Sequence, residues 1–310
     1  MGLHVVVGAG PVGSAAALCL AQQGHRVRVI TRRGTGPDHP DIEPIAADAR
    51  DAGRLAELAR GADGLYNCAN PAYHRWPTDW PPIAAALLQA AQRCDAVLVT
   101  MSNLYGYGPV ARPMTEDLPL AATTVKGRIR AQMWRDVQAA GQAGLLRATE
   151  ARASDFVGAE AQSIFTQLIA AAVLRGRTGL IPAALDLPHT LTYVGDAGRF
   201  LATLGTDPRS VGRAWHVPSP PPTTLREAAR RLAELAGAPE PRLRRAPGAA
   251  LRLIGVVNPE ARELVELRYQ FERPFVLDAS AAEATFGFMP TSLDQALLTM
   301  VPAQRRAVAT

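Results

Sequence analysis

The N-terminus restricts the fold more than any other stretch of the chain. Leu3–Val7 is a short β-branched apolar run, and Gly8-Ala9-Gly10-Pro11-Val12-Gly13 follows it directly. Ser14–Gln23 reads as a helix stopped by Gly24, and Arg26–Thr31 alternates in the manner of a second strand. Strand, glycine turn, helix and strand in that order form a βαβ unit, which commits the chain to a parallel sheet. A helix N-terminus that holds a pyrophosphate needs a tight turn, close approach of backbone N–H groups and close helix–strand packing. Gly8, Gly10 and Gly13 meet those needs in turn, with Pro11 and Val12 between them. The expected ligand is a dinucleotide.

The alternation continues. Ile42–Ala46, Gly64–Cys68, Ala96–Thr100 and Gly144–Thr149 read as strands, with helices over Arg50–Arg60, Ile83–Cys94 and Thr124–Ala140. The expected fold class is α/β, a Rossmann-type doubly wound parallel sheet with a smaller C-terminal substrate-binding region. After about residue 155 the rhythm breaks. Gln162–Leu174 reads as an apolar helix, Thr190–Val194 and Ala214–Val217 as short strands, and Asp196–Leu204 and Thr224–Ala236 as helices. Glu227 stands three residues beyond Thr224, the spacing of a capping box. The expected division is a dinucleotide-binding domain over 1–157, completed by about 188–217, and a substrate-binding region formed by 158–187 and 218–310.

Composition narrows the function. The net charge is +5, but the basic residues are scattered rather than gathered in a stripe with aromatics, which argues against nucleic acid. No apolar run approaches the ~18 uncharged residues of a membrane span, and Leu3–Val7 is too short for a signal peptide. Cys19, Cys68 and Cys94 lie in apolar settings without metal-ligand spacing. They read as reduced core residues of a cytoplasmic protein without a metal site. Arginine and lysine total 33, and Lys126 is the single lysine. With abundant Ala, Gly and Pro, this skew has the look of a GC-rich bacterial genome. A lone lysine marks a position where a compact ammonium is required and a guanidinium will not serve.

Cofactor preference is decided at the end of the second strand. NAD sites usually carry a carboxylate there for the ribose 2′-hydroxyl, but this chain has Thr31-Arg32-Arg33. Arg32 and Arg33 would attract a 2′-phosphate that a carboxylate would repel, so NADP is expected over NAD. Asp48 could accept from the adenine amino group, and Asn67, Ala69 and Asn70 close the fourth strand where the cofactor would pass.

These segments together resemble the short-chain dehydrogenase/reductase superfamily, in its extended or atypical branch, the NAD(P)-dependent epimerase/dehydratase-like group. The resemblance covers nearly the whole chain. It rests on Val7–Gly13, Ala46–Asp51, Thr100–Gly106, Thr115–Asp117, Lys126, Arg152–Gly158, His189–Asp196 and Trp215–Glu227. It implies a serine or threonine at the end of the fifth strand that bonds the reacting oxygen, here Ser102, with Asn103 its alternative if the alignment slips. It also implies a tyrosine acid/base and, four residues later, a lysine on the nicotinamide ribose, here Lys126. Residues i and i+4 share a helix face, and the ammonium would lower the phenol pKa. This chain departs at the centre, because Ala122 stands where the tyrosine is expected. Tyr105 and Tyr107, on the loop after the fifth strand, and Thr123 or Thr124 beside the lysine are the candidate replacements.

Three substrate-lining stretches are expected: Tyr73-His74-Arg75-Trp76, the region of His189, Thr192 and Tyr193, and Arg268-Tyr269-Gln270-Phe271. Tyr73, Trp76, Asn103, His189 and Tyr269 are the candidates, and they suit a small, mostly apolar molecule. Three readings follow. The first is an NADP-dependent oxidoreductase or epimerase-like enzyme acting on a small carbonyl or hydroxyl compound in bacterial secondary metabolism. The second is a non-redox cyclase, isomerase or dehydratase on the same fold. The third is a non-catalytic NADP sensor. A homodimer through Ile83–Cys94 and Thr124–Ala140 is compatible with all three. Lys126, as a ribose ligand, is expected to be replaceable without loss of stability.

Overall fold

The computed structural model describes residues 1–246 and 265–309. Its centre is a parallel sheet of seven strands. They are β1 (Leu3–Val7), β2 (Arg26–Thr31), β3 (Ile42–Ala46), β4 (Gly64–Asn67), β5 (Val97–Asn103), β6 (Ala148–Ala153) and β10 (Ala214–His216). Across the sheet they run in the order β10-β6-β5-β4-β1-β2-β3. Three features of the chain dictate this sheet. The central strands are rich in valine, successive strands are joined by crossovers, and along the central strands side chains alternate between two buried faces. Val6, Val27, Val29 and Val99 pack on one face against Ala16, Ala17 and Leu20 of helix α1 (Pro11–Gln22) and Phe200 and Leu201 of helix α6 (Val194–Thr206). Val5, Val7, Ile30 and Leu98 pack on the other against α2 (Ala52–Leu58) and α3 (Trp76–Cys94). Sequence order reverses at β1, with β2 on one side and β4 on the other, so the two crossover sets diverge there and leave a crevice at the strands' C-terminal ends.

A third apolar cluster gathers the rest of the chain. It joins Val157, Phe165, Ile169, Ile181, Leu191, Leu225, Leu232, Leu297 and Met300. Two small parallel sheets support it, β7 (Asp155–Val157) with β9 (Leu191–Tyr193) and β8 (Gly179–Ile181) with β11 (Leu243–Arg245). Helix α7 (Leu225–Ala236) starts at Thr224, whose hydroxyl accepts from the Glu227 N–H at 3.0 Å, as the spacing predicts.

Most boundaries shift by a few residues, and three differences have a clear physical cause. Helix α3 begins at Trp76 rather than Ile83, although Pro77, Pro81 and Pro82 lie in its first turns. Trp76 and Trp80 sit one turn apart and are both fully buried, and that burial outweighs the missing N–H groups. The sixth strand starts at Ala148, not Gly144. Gly144 has φ +71° and turns the chain, and Leu145 is exposed. The apolar stretch after Gln162 is a π-helical segment, Phe165–Ala170, that continues as helix α5 (Ala171–Leu174).

His4 lies inside β1, 3.1 Å from both the Tyr66 hydroxyl and His25 Nδ1. Burial, followed by the charge of His25, lowers its pKa from 6.5 to about 4. The unfolded chain therefore binds a proton that the folded chain refuses, and stability falls as pH drops from 6.5 toward 4. Replacing His4 by Gln is expected to flatten that acid limb by up to about 1.4 kcal/mol per pH unit in urea titrations. An unchanged limb would remove His4 as its cause.

Candidate functional site

The site is built around the turn that joins β1 to α1. Gly8 adopts φ +104°, and a Cβ there would lie 2.6 Å from the Cys68 carbonyl oxygen; a Cβ on Gly13 would lie 2.0 Å from the Gly8 carbonyl oxygen. Both glycines are demanded by the fold itself. Gly10 is not. It is the N-cap of α1, with φ −68° and ψ 178°, and an added Cβ meets nothing within 4 Å. Its missing side chain leaves an open cradle at a helix N-terminus, where N–H groups face outward. A dinucleotide pyrophosphate fits that cradle.

Gly10, Pro11, Val12 and Gly13 line a cleft of about 160 Å³ together with Cys68, Ala69 and Asn70 after β4. From β5 and its following turn come Ser102, Asn103 and Tyr105; from α3 and the turn before it, Tyr73 and Trp76. Ser154 and Asp155 enter from the end of β6, and Gln270 and Phe275 from the C-terminal segment. The structure thus brings together most of the residues expected from the sequence. Asn103 also shapes the turn, its Oδ1 accepting from the Tyr105 N–H at 3.1 Å. The Tyr105 hydroxyl lies 3.0 Å from that of Tyr73. Burial, then the neighbouring Tyr73, pushes the Tyr105 pKa well above its usual 10. Tyr105 therefore stays protonated across the physiological range, the opposite of a phenol tuned downward by an ammonium.

Several expected residues lie elsewhere. Tyr107 is bound at 2.7 Å by Arg152 and at 2.8 Å by His216, in a buried network away from the cleft, and cannot replace the missing tyrosine. Asn67 is buried at the end of β4, where its Oδ1 accepts from the Ala69 N–H. Both Asp48 oxygens are taken by Arg50, and this hydrogen bonding holds the Asp48 pKa below the usual carboxylate value. Arg32 and Arg33 stand exposed beyond β2. His189 does not line the cleft but backs it, 2.7 Å from Asp155 and stacked on Phe271 and Phe275. Tyr269 is half-buried beside the cleft, its buried hydroxyl without a partner among the described residues, and its neighbour Gln270 takes the lining position.

Lys126 requires the largest correction. Ala122 lies in the loop before helix α4 (Val125–Gln142), so residues 122 and 126 do not share a helix face. The Lys126 side chain is 1% exposed, and its ammonium lies 2.7 Å from Glu266 and 5.7 Å above the Tyr73 ring. Glu266 also accepts the backbone N–H of Val125 at 2.9 Å and of Lys126 at 3.3 Å. Glu266 is 24% exposed and keeps its two backbone donors without the lysine, but removing Lys126 would empty a buried site and break the ion pair, so a cost to stability is now expected where the sequence suggested little change.

Sequence reasoning missed Asp155 and Arg130. Arg130 follows Lys126 by one helical turn, and that i, i+4 spacing was the available signal.

Gly10→Val is expected to leave the thermal midpoint close to wild type while abolishing dinucleotide binding in calorimetric titration. Gly13→Val is expected to cost roughly 3 kcal/mol or more. Normal dinucleotide binding by a folded Gly10→Val variant would place the ligand elsewhere.

Comparison with known proteins agrees with this architecture. The chain is similar to the UDP-glucose 4-epimerase of Thermotoga maritima, solved with UDP-glucose (TM-score 0.79, 17% identity, 99% of each chain covered). It is also similar to the dTDP-glucose 4,6-dehydratase of Bacillus anthracis in complex with NAD (TM-score 0.80, 16% identity, 99% of this chain and 97% of that one). A third likeness is to the UDP-glucose 4-epimerase of Thermus thermophilus with NAD (TM-score 0.76, 19% identity, 98% and 99%). At these identities the likeness is one of fold. No curated protein sequence matches the chain. The model of the NAD dependent epimerase/dehydratase family matches residues 4–217. The chain belongs to that family of enzymes.

Proposed function

We propose that this protein is an NADP-dependent oxidoreductase that reduces a small carbonyl compound. The observation that carries the reading is the shared cleft: the open Gly10 cradle and the side chains of Ser102 and Tyr105 line one cavity. When bound, the nicotinamide supplies the hydride. Ser102 is at the end of β5, where its hydroxyl can donate to a carbonyl oxygen held in the cleft. Tyr105 keeps its proton at neutral pH, so it is suited to giving one up rather than taking one. An alkoxide is more basic than any phenolate, and a buried neutral phenol can protonate it without prior activation. This favours reduction over oxidation and answers the absence of a tyrosine at position 122.

Exposed Arg32 and Arg33 support NADP over NAD. Charge-assisted hydrogen bonds to a 2′-phosphate are worth roughly 1.5–3 kcal/mol, so NADP is expected to bind at least about tenfold more tightly. Arg32→Asp is expected to narrow or reverse the gap in parallel titrations. Equal affinities, or a preference for NAD, would defeat the assignment. Tyr105→Phe is expected to keep cofactor affinity and lose turnover.

The same proposal includes a homodimer. A groove of about 490 Å³ runs between α3 and α4, lined by apolar residues such as Ala84, Leu88, Ile129, Met133 and Val137. Sedimentation velocity is expected to give twice the 32.9 kDa mass of one chain. A single-chain mass at micromolar concentration would refute it.

A further inference from the structure

Among the described residues, Arg130 is the one cation that lines the cleft, and it is built into the protein's interior. Its guanidinium lies 4.7 Å from the Trp76 ring centre and 4.3 Å from that of Trp80. Nη1 donates to the Met101 carbonyl oxygen at 3.3 Å, and Nε has no partner. Among the described residues, no carboxylate lies within ion-pair distance of it. Glu150 is taken by Arg152 at 2.7 Å, and Asp155, the carboxylate that lines the cleft, is taken by His189. Arg130 is fully desolvated, and burial pulls its pKa down to about 10, which still leaves it charged.

Glu150 acts on Arg130 only through its charge at longer range, and a buried charge with no carboxylate bonded to it is among the more expensive arrangements a fold can hold. The indole faces return part of that cost, but they offer no hydrogen-bond acceptor to a planar fork of N–H donors. The group that best completes such a fork is a carboxylate, which accepts two parallel N–H bonds. The neighbourhood is also prepared for a polar ligand, because Ser154 Oγ and Gln270 Oε1, both on lining residues, are buried without partners. Neutral solvent at this position would leave the guanidinium without a bonded counter-charge, whereas an anionic ligand would pair with it inside a low-dielectric wall.

We propose that Arg130 anchors a carboxylate of the substrate, so that the compound reduced is a small oxo acid. The inference rests on the reductase reading above. It adds the substrate's charge and the residue that recognises it. The two indoles hold the guanidinium plane, Arg130 fixes one end of the molecule, and Ser102 and Tyr105 meet the carbonyl at the other.

The test uses the full chain and a shape-matched pair of probes, 3-phenylpropanoate and 3-phenylpropanamide. Binding is read from the fluorescence of tryptophan excited at the red edge, since Trp76 and Trp80 flank the guanidinium. The wild-type protein, saturated with NADP, is expected to bind the acid at least tenfold more tightly than the amide. Arg130→Met is expected to bind the two alike, and Arg130→Lys to keep part of the preference. An acid that binds no better than the amide in the wild type, including binding by neither, overturns the proposal, as does a preference that survives in Arg130→Met. Should Arg130→Met fail to fold, the wild-type comparison and Arg130→Lys still decide. Dinucleotide titration of the same samples separates the two readings. Intact NADP binding without acid preference counts against Arg130 alone, whereas absent NADP binding counts against the reductase assignment.

Discussion

The contact on which the rest of the structure depends is the closure of the β1–α1 turn. The Gly8 carbonyl oxygen occupies the space where a Cβ on Gly13 would be, and the Cys68 backbone crowds Gly8 from the other side. This double approach seats α1 on the sheet and brings the end of β4 beside the end of β1. It also opens the crevice at the point where sequence order reverses. A similar approach recurs at Gly198 of α6, where a Cβ would lie 2.5 Å from Ala15 Cβ, so the two helices on that face are locked by missing side chains. The sheet can therefore hold its shape without a ligand, and the freedom left at Gly10 is available for binding.

The main sheet was legible because its signals are local. The strands β1, β2 and β5 carry runs of valine and isoleucine, and helices follow β1, β3 and β4 at short distance. Where the sequence misled, tertiary burial outweighed local chemistry. Prolines 77, 81 and 82 argue against a helix, yet Trp76 and Trp80 are buried deeply enough to extend one across them. Leu145 and Leu146 look like the start of a strand, but the turn at Gly144 exposes Leu145 and delays pairing until Ala148. The glycine cradle, Ser102 and Tyr105 were legible as parts of a motif. The acidic partner of Lys126 was not, because Glu266 lies 140 residues away and nothing local announces it.

The buried polar groups of the main domain divide by how fully they are satisfied. Tyr107, Arg152, Glu150 and His216 form a closed network whose members bond to one another. Such a network fixes a shape and has little capacity left for a ligand. Arg130, Ser154 and Gln270 keep unmet bonding capacity on lining residues. A buried group with capacity to spare is where a fold departs from pure stability, and these three departures line one cavity.

Glu266 gives the arrangement a further meaning. The first N–H groups of a helix have no partners within it, and on α4 two of them, at Val125 and Lys126, are met by this one carboxylate; Thr124 meets the next, at Gly127. The helix that carries Lys126 and Arg130 is thus finished by a residue beyond the span that the family model matches. The matched span therefore does not complete this helix by itself: the carboxylate that closes its first turn comes from the C-terminal segment, which also lines the cleft with Gln270 and Phe275.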